Sequence, residues 1–235
     1  MIFFFNPILI IAAILPALYL MYRVYKLDRI EKEPRHLLYS LFRLGIIATL
    51  IAMFLEWIGT GILQSYVEEG TVLYNAIQYF IIVAVAEEGA KYFFLKRRTW
   101  NDPNFNYTFD GVVYAVFVSL GFALAENIMY VMLYGLRVAL LRAVTAVPGH
   151  ACFGVFMGTW YGLAKCYETA GNKAASKASR ILAFLIPVLL HGTYNFIASI
   201  DNDSFGWIFV GFILVMFFVA IRLVNHMSRT DRPIY

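Results

Sequence analysis

The sequence predicts an all-α fold, a polytopic membrane helix bundle of about seven transmembrane helices with the N-terminus outside and the C-terminus in the cytoplasm. Three observations support this: the 235 residues are 61% hydrophobic and only 14% charged, apolar runs recur along the chain, and the basic residues gather in alternate loops. Charged residues make up about 25% of a typical soluble domain. We therefore expect a single integral domain over residues 1–235, multi-pass in the cell membrane.

Seven apolar segments are long enough to cross a bilayer, which takes about 20 helical residues. No soluble domain fits between them. The first segment lacks the basic start and the small-residue cleavage site of a signal peptide, so we expect it to be retained. The predicted spans are 2–22, 37–63, 72–95, 109–133, 143–164, 181–200 and 206–225.

Lysine and arginine are distributed unevenly between the loops on the two sides of these spans. Fifteen lie on one side and only Arg137 and Arg142 on the other. Because cytoplasmic loops are rich in basic residues, the first side is predicted to be cytoplasmic. Basic residues confined to short loops argue against nucleic-acid binding and leave the lipid bilayer as the expected surroundings. The fifteen lie in residues 23–36, 96–108, 165–180 and 222–235.

Three charged residues interrupt the apolar third span: Glu87, Glu88 and Lys91. Each ionisable group at membrane depth costs roughly 2.5–3.5 kcal/mol, so a function is the first hypothesis for them. On a helix Lys91 lies four residues after Glu87 and three after Glu88, so its ammonium can reach both acids. The alternative interpretation is a structural ion pair that locks the helix packing.

Polar residues recur in the three spans that follow, at Glu126, His150, His191 and Asn195. His191 and Asn195 are four apart and share one helix face, and Pro187 one turn earlier is expected to open the helix locally. Each histidine by itself could be a packing residue. Four polar clusters in four consecutive spans favour one common site, within a motif-bearing core of about 72–200.

Other residues in the spans have structural interpretations. Asp110 at the start of the fourth span is expected to cap its helix, and Glu56 is expected to be interfacial or structural. Gly154 and Gly158 are spaced for close contact with a neighbouring helix.

The residue types favour hydrolysis, because no serine or cysteine stands beside a histidine in these clusters. A glutamate that activates water, two histidines that orient it and an asparagine that stabilises an oxyanion would make a peptidase. His150, His191 and Glu126 could also hold Zn²⁺ and leave a position open for water. A metal-free site remains the alternative, since Lys91 would repel a dication. A transporter or ion-binding protein is the rival function, because buried carboxylates and histidines also form proton relays.

The polar clusters resemble the motifs of PrsW-type intramembrane proteases, which are distantly similar to the CAAX prenyl endopeptidases. The first motif, EExxK, is matched by Glu87, Glu88 and Lys91. The resemblance runs in the right order from Glu87 to Asn195 and leaves the first two spans and the last without a motif. The other matching segments are Phe109-Asp110-Gly111 with Gly121-Phe122, Glu126-Asn127 and Tyr130; Arg142-Ala143 with Pro148-Gly149-His150, Gly154 and Gly158; and His191-Gly192-Thr193-Tyr194-Asn195.

This resemblance implies an intramembrane peptidase that cleaves membrane-anchored proteins, typically an anti-sigma factor. It implies that Glu87 and Glu88 supply the base and its neighbour and that Lys91 tunes them. His150 and His191 would hold the water or a metal, and Asn195 would donate to the oxyanion. Glu126 would be a further ligand or would orient a histidine. Of the two acids, Glu87 is the preferred base, because it shares a helix face with Lys91.

Overall fold

The computed structural model describes residues 7–200 and 202–235, and this part of the chain is helical, with no strand. Nine α-helices and one π-helix follow one another, several joined by turns of only a few residues. Their bounds are α1 (Pro7–Leu27), α2 (Arg35–Gln64), α3 (Val72–Ala76), a π-helix (Ile77–Val83), α4 (Ala84–Thr99), α5 (Asp110–Tyr134), α6 (Leu136–Val144), α7 (Ala146–Thr169), α8 (Lys173–Ala198) and α9 (Asp203–Arg229).

Five helical segments of the described chain are long and apolar enough to cross a membrane: α2, α5, α6 with α7, α8 and α9. The predicted spans 2–22 and 72–95 correspond to α1 and to the run from α3 to α4, which are not among these five segments. Residues 2–6 of the first predicted span lie outside the described residues. The all-α membrane fold is confirmed, whereas the count of seven spans stays a prediction.

The centre of the bundle is α5, which packs closely against α2 on one side and α7 on the other. An added Cβ at Gly111 in α5 would lie 2.7 Å from the carbonyl oxygen of Gly158 in α7, and one at Gly154 would lie 2.9 Å from Ser119 Oγ. Such distances leave no room for a side chain. The prediction that a neighbouring helix packs on Gly154 and Gly158 is therefore confirmed, and α5 is that neighbour.

The start of α5 is fixed by the C-terminal residues of the chain. Asp231 Oδ1 accepts hydrogen bonds from the backbone N–H of Phe109, at 2.8 Å, and from Thr108 Oγ1, at 3.0 Å. Asp110 was expected to cap the helix, but its Oδ2 accepts instead from the backbone N–H groups of Asn106 and Tyr107, at 3.0 and 2.7 Å. Asp110 thus orders the turn before α5, and the helix N-terminus takes its acceptor from Asp231.

Two features of the helices differ from the predictions: a π-helix that was not predicted, and a proline that does not interrupt its helix. The π-helix Ile77–Val83 directly precedes α4 and its acidic pair, and such wide turns often occur near functional sites. Hydropathy gave no sign of it. Pro187, expected to open its helix, lies buried inside an α8 that runs without a break from Lys173 to Ala198.

Candidate active site

The ammonium of Lys91 lies at the centre of the site. Its Nζ donates to Glu88 Oε1 at 2.7 Å and to Glu87 Oε2 at 3.2 Å, and it lies 3.0 Å from His150 Nδ1. Because α4 places Lys91 one turn after both acids, two of these contacts come from local helix geometry. The side chains of Lys91 and Glu88 are fully buried. One cation therefore compensates two buried carboxylates.

His191 joins this group from α8. Its Nδ1 lies 3.0 Å from Glu88 Oε1 and 3.9 Å from Glu87 Oε2. Glu88 Oε1 is thus shared by Lys91 and His191, while Glu88 Oε2 is buried with no hydrogen-bond partner in the described chain. Since buried polar atoms nearly always have a partner, Oε2 marks a position suited to a water molecule or a metal ion.

A second chain of contacts leads from His150 to the other side of the bundle. His150 Nε2 lies 2.9 Å from Glu126 Oε2, and Arg142 Nη2 lies 2.8 Å from the same oxygen. Arg142 Nε donates to Asn127 Oδ1 at 3.2 Å, and Asn127 Nδ2 donates to the carbonyl oxygen of Ala13 in α1 at 3.0 Å. Both ring nitrogens of His150 are therefore engaged, and Glu126 orients this ring.

Aromatic rings hold the two histidines in place. The ring of Phe153 stacks on His191 with centroids 4.9 Å apart, and the His150 and His191 rings meet edge-on at 5.3 Å. Phe122 lies beneath Lys91, whose Nζ is 3.9 Å from the ring centroid. These rings exclude water from one side of the ion cluster, which strengthens its electrostatic interactions.

The cluster borders a cavity of about 310 Å³. Five of the seven predicted site residues line it, namely Glu87, Glu126, His150, His191 and Asn195, whereas Glu88 and Lys91 contact these from behind the wall. The remaining lining residues had no predicted role in the site, although Tyr130, Arg142 and Tyr194 belong to the motif segments quoted above. The remaining residues are Glu56, Gln78, Tyr79, Val83, Tyr130, Arg142, Ala146, Phe153 and Tyr194.

Glu56 is the clearest of the omissions. It was expected to be interfacial or structural, yet it contributes a carboxylate to the cavity wall from α2. The cost of a charge inside an apolar span, which singled out Glu87 and Glu88, applies to Glu56 equally. The interfacial or structural interpretation rested on the position of Glu56 nearer the outer end of its span.

Four side chains of the candidate site are placed so that they could bind one metal ion. Glu87, Glu88, His150 and His191 each offer one ligand atom, and these atoms lie within 4.8 Å of one another. Imidazole and carboxylate donors suit zinc. The buried Oε2 of Glu88 has no hydrogen-bond partner in the described chain and could bond to a metal ion. Glu126, which was predicted as a ligand beside His150 and His191, lies outside this group of four.

Comparison with known proteins gives the family. The profile described as PrsW family intramembrane metalloprotease matches residues 33–223. The chain belongs to the PrsW family. Among the curated relatives named Protease PrsW, that of Oceanobacillus iheyensis is 36% identical over 89% of this chain and 91% of its own length. The Bacillus subtilis protein is 31% identical over 91% and 93%. No solved structure matches the chain.

Membership of the PrsW family and the helical structure together settle the general class. The protein is a peptidase of the membrane and a multi-pass membrane protein. The predicted resemblance is confirmed, and transport, the rival hypothesis, is not favoured. The family description as a metalloprotease agrees with the buried Glu and His group.

The central position of Lys91 predicts the effect of removing it. Lys91→Met leaves two buried carboxylates without their cation, and breaking a buried ion pair from one side costs about 3–5 kcal/mol. We expect a correspondingly lower Tm of the protein in detergent micelles. Adding Glu88→Gln to Lys91→Met should restore part of the loss, because the double variant buries one charge fewer.

Lys96→Met is the matched control for this prediction, since Lys96 is an exposed lysine of the same helix and surface changes stay within about 0.5 kcal/mol. A Lys91→Met variant that melts with the wild type and with Lys96→Met would contradict the central role of the ammonium.

Proposed function

We propose that this protease hydrolyses a peptide bond of membrane-anchored proteins, of which an anti-sigma factor is the expected example, with a water molecule activated by glutamate. The observation that carries the proposal is one buried ammonium at a cavity wall that contacts two acids and His150, with His191 bound to one of these acids, Glu88. A transporter could use the same groups as a proton relay, but the family match favours the peptidase.

Glu87 is proposed as the general base. It lines the cavity, whereas Glu88 is buried behind the wall and is occupied by Lys91 and His191. Glu87 takes a proton from water as the oxygen attacks the carbonyl carbon, and it then returns the proton to the departing amine. Lys91 holds Glu87 in position, and Glu88 orients Lys91 and His191.

His191 and Asn195 are proposed to stabilise the oxyanion that forms when water attacks. Both line the cavity and lie one turn apart on α8. Glu88 accepts a hydrogen bond from Nδ1–H of His191, so Nε2 is the nitrogen left for substrate, and it donates to the oxyanion when the ring carries a proton on both nitrogens. Donors fixed before the reaction starts typically supply about 2.7–4 kcal/mol each. His150 is proposed to position the water, for which one of its ring nitrogens would exchange its contact with Lys91 or Glu126 for the water.

Zn²⁺ is the proposed cofactor. Of the four grouped side chains, Glu88, His150 and His191 would hold it and leave a position open for water, while Glu87 stays free as the base. Glu126 would support His150 or join the ligands, as in the predicted set of His150, His191 and Glu126. When bound, the ion would lower the pKa of a bound water and polarise the substrate carbonyl. To make room for the ion, Lys91 would have to give up part of its contacts with Glu88 and His150.

The first test concerns the paired acids. Glu87→Ala and Glu88→Ala should each abolish cleavage of a co-expressed single-span anti-sigma factor, because loss of a general base or of its support costs about 10²–10⁴-fold. Cleavage is followed by immunoblot with a tag at each end of the substrate, and the level of each variant in the membrane is measured in parallel.

Glu69→Ala is the control for the paired acids, since Glu69 is exposed in the turn before α3; it should cleave like the wild type. Wild-type cleavage by both Glu87→Ala and Glu88→Ala would refute the assigned mechanism.

The second test concerns the orientation of the chain, which is proposed to have its N-terminus outside and its C-terminus in the cytoplasm. The excess of lysine and arginine in alternate loops supports it. Reporter fusions at Gly70 and Asp203 should be external, and those at Asn101 and Asn172 cytoplasmic. A cytoplasmic reporter at Asp203 would be incompatible with the proposed arrangement of the last three spans.

The third test concerns zinc. Purified protein should contain one Zn²⁺ per chain by elemental analysis, and the His191→Ala variant should lose it. Chelation should remove metal and activity together, and added zinc should restore both. Full cleavage by metal-free protein would exclude the cofactor and leave His150 and His191 with water-orienting and oxyanion roles around the Glu87 base.

A further inference from the structure

A second recess of about 800 Å³ adjoins the catalytic cavity. The two share four lining residues, Arg142, Ala146, Tyr194 and Asn195, so they meet at a neck where Asn195 faces both. We call the second recess the α6–α9 groove. Its other lining residues are Leu141, Thr145, Ile197, Ala198, Ile200, Asn202, Gly206, Trp207, Phe209 and Val210.

The groove opens away from the basic loops. Its walls come from the C-terminal end of α8 and the first turns of α9, whereas the opposite ends of these helices carry Lys173 and Arg229. Catalytic residues are therefore approached from the side that holds few lysines and arginines.

The chemistry of the groove suits an extended polypeptide. Its wall mixes apolar side chains, such as Trp207 and Phe209, with polar ones, such as Asn195 and Asn202. A lipid chain would need no polar partners, and a helix satisfies its own backbone. An unwound peptide at membrane depth must find donors and acceptors for its N–H and C=O groups, and this lining offers them beside apolar surface for side chains.

We propose that the α6–α9 groove binds an extended stretch of the substrate protein, next to its membrane-embedded segment, and leads the scissile bond past Arg142 and Asn195 into the catalytic cavity. The proposal rests on the proposed function and adds the place and conformation in which the substrate binds. A protease must hold its substrate unwound, because the carbonyl carbon of a helical peptide bond is shielded by the helix backbone. Continuity of the groove with the cavity supplies the path.

The glycines of α9 allow a matched test. Gly206 lines the groove, and a Cβ added there would meet no atom within 4 Å. Gly211 has the same open surroundings but is not part of the groove, since five residues turn a helix through roughly 500°, or about 140° from Gly206. Gly206→Phe should fill the groove, whereas Gly211→Phe places the same ring elsewhere on the same helix.

We expect Gly206→Phe to lower cleavage of the co-expressed single-span anti-sigma factor by at least about tenfold, because binding energy from parts of the substrate remote from the scissile bond is lost. Gly211→Phe should cleave like the wild type. Equal cleavage by the two variants at equal membrane levels would overturn the proposal.

A cross-linking readout does not depend on turnover. A photoreactive amino acid replacing Trp207 in the Glu88→Ala background should cross-link to the same anti-sigma factor, at residues adjoining its span, and one replacing Gly211 should not. Absence of the Trp207 cross-link, or an equal one at Gly211, would overturn the groove. Failure of the wild type to cleave would instead count against the proposed function, since a cross-link at Trp207 can form without cleavage.

Discussion

The ammonium of Lys91 is the interaction on which the rest of the site depends. Glu87 and Glu88 would each cost roughly 2.5–3.5 kcal/mol at membrane depth if alone. Lys91 Nζ lies 3.2 Å from Glu87, 2.7 Å from Glu88 and 3.0 Å from His150, so one buried cation compensates two buried acids and links α4 to α7. Because Glu88 then reaches His191, the same charge also determines where α8 must pack. The structural ion pair and the proposed catalytic group are thus the same set of atoms.

Contacts of about 3 Å between four helices require that the backbones be held with little freedom, and the glycines of α5 and α7 provide this. Gly111 and Gly158 bring the two helices so close that a methyl group on either would collide with the backbone of the other. Asp231 and the turn before α5 fix where this central helix begins. His150 on α7 and Glu126 on α5 therefore meet at 2.9 Å because of packing that lies mainly outside the cavity.

The sequence was most informative where geometry is local. The spacing of Glu87, Glu88 and Lys91 predicted their ion pairs, since a helix turn alone brings them together. The convergence of His150, His191 and Asn195 could be inferred only from the cost of burying polar groups, and their partners could not be assigned. The place of Glu56 in the cavity wall could not be inferred from its position near the outer end of its span, and the contacts of Arg142 depend on how α6 folds back. The π-helix and the preference of Asp110 for the turn before α5 arise from tertiary contacts that hydropathy does not record. The number of spans remains a sequence prediction, since five segments meet the length and hydropathy criterion.

Two adjacent acids with unlike surroundings suggest why both are needed. Residues i and i+1 on a helix point about 100° apart, so one motif can place Glu87 on the cavity wall and Glu88 behind it. The buried acid is held by two partners and can fix their positions, whereas the wall acid has access to water and can exchange protons. Hydrolysis inside a bilayer needs both: a rigid, dry support that keeps charges in register, and a polar surface that admits water and an unwound chain. If Glu88 lay on the cavity wall and Glu87 behind it, the proposed base Glu87 would be enclosed by Lys91 and His191. The acid that holds these two residues in position would then be exposed to solvent.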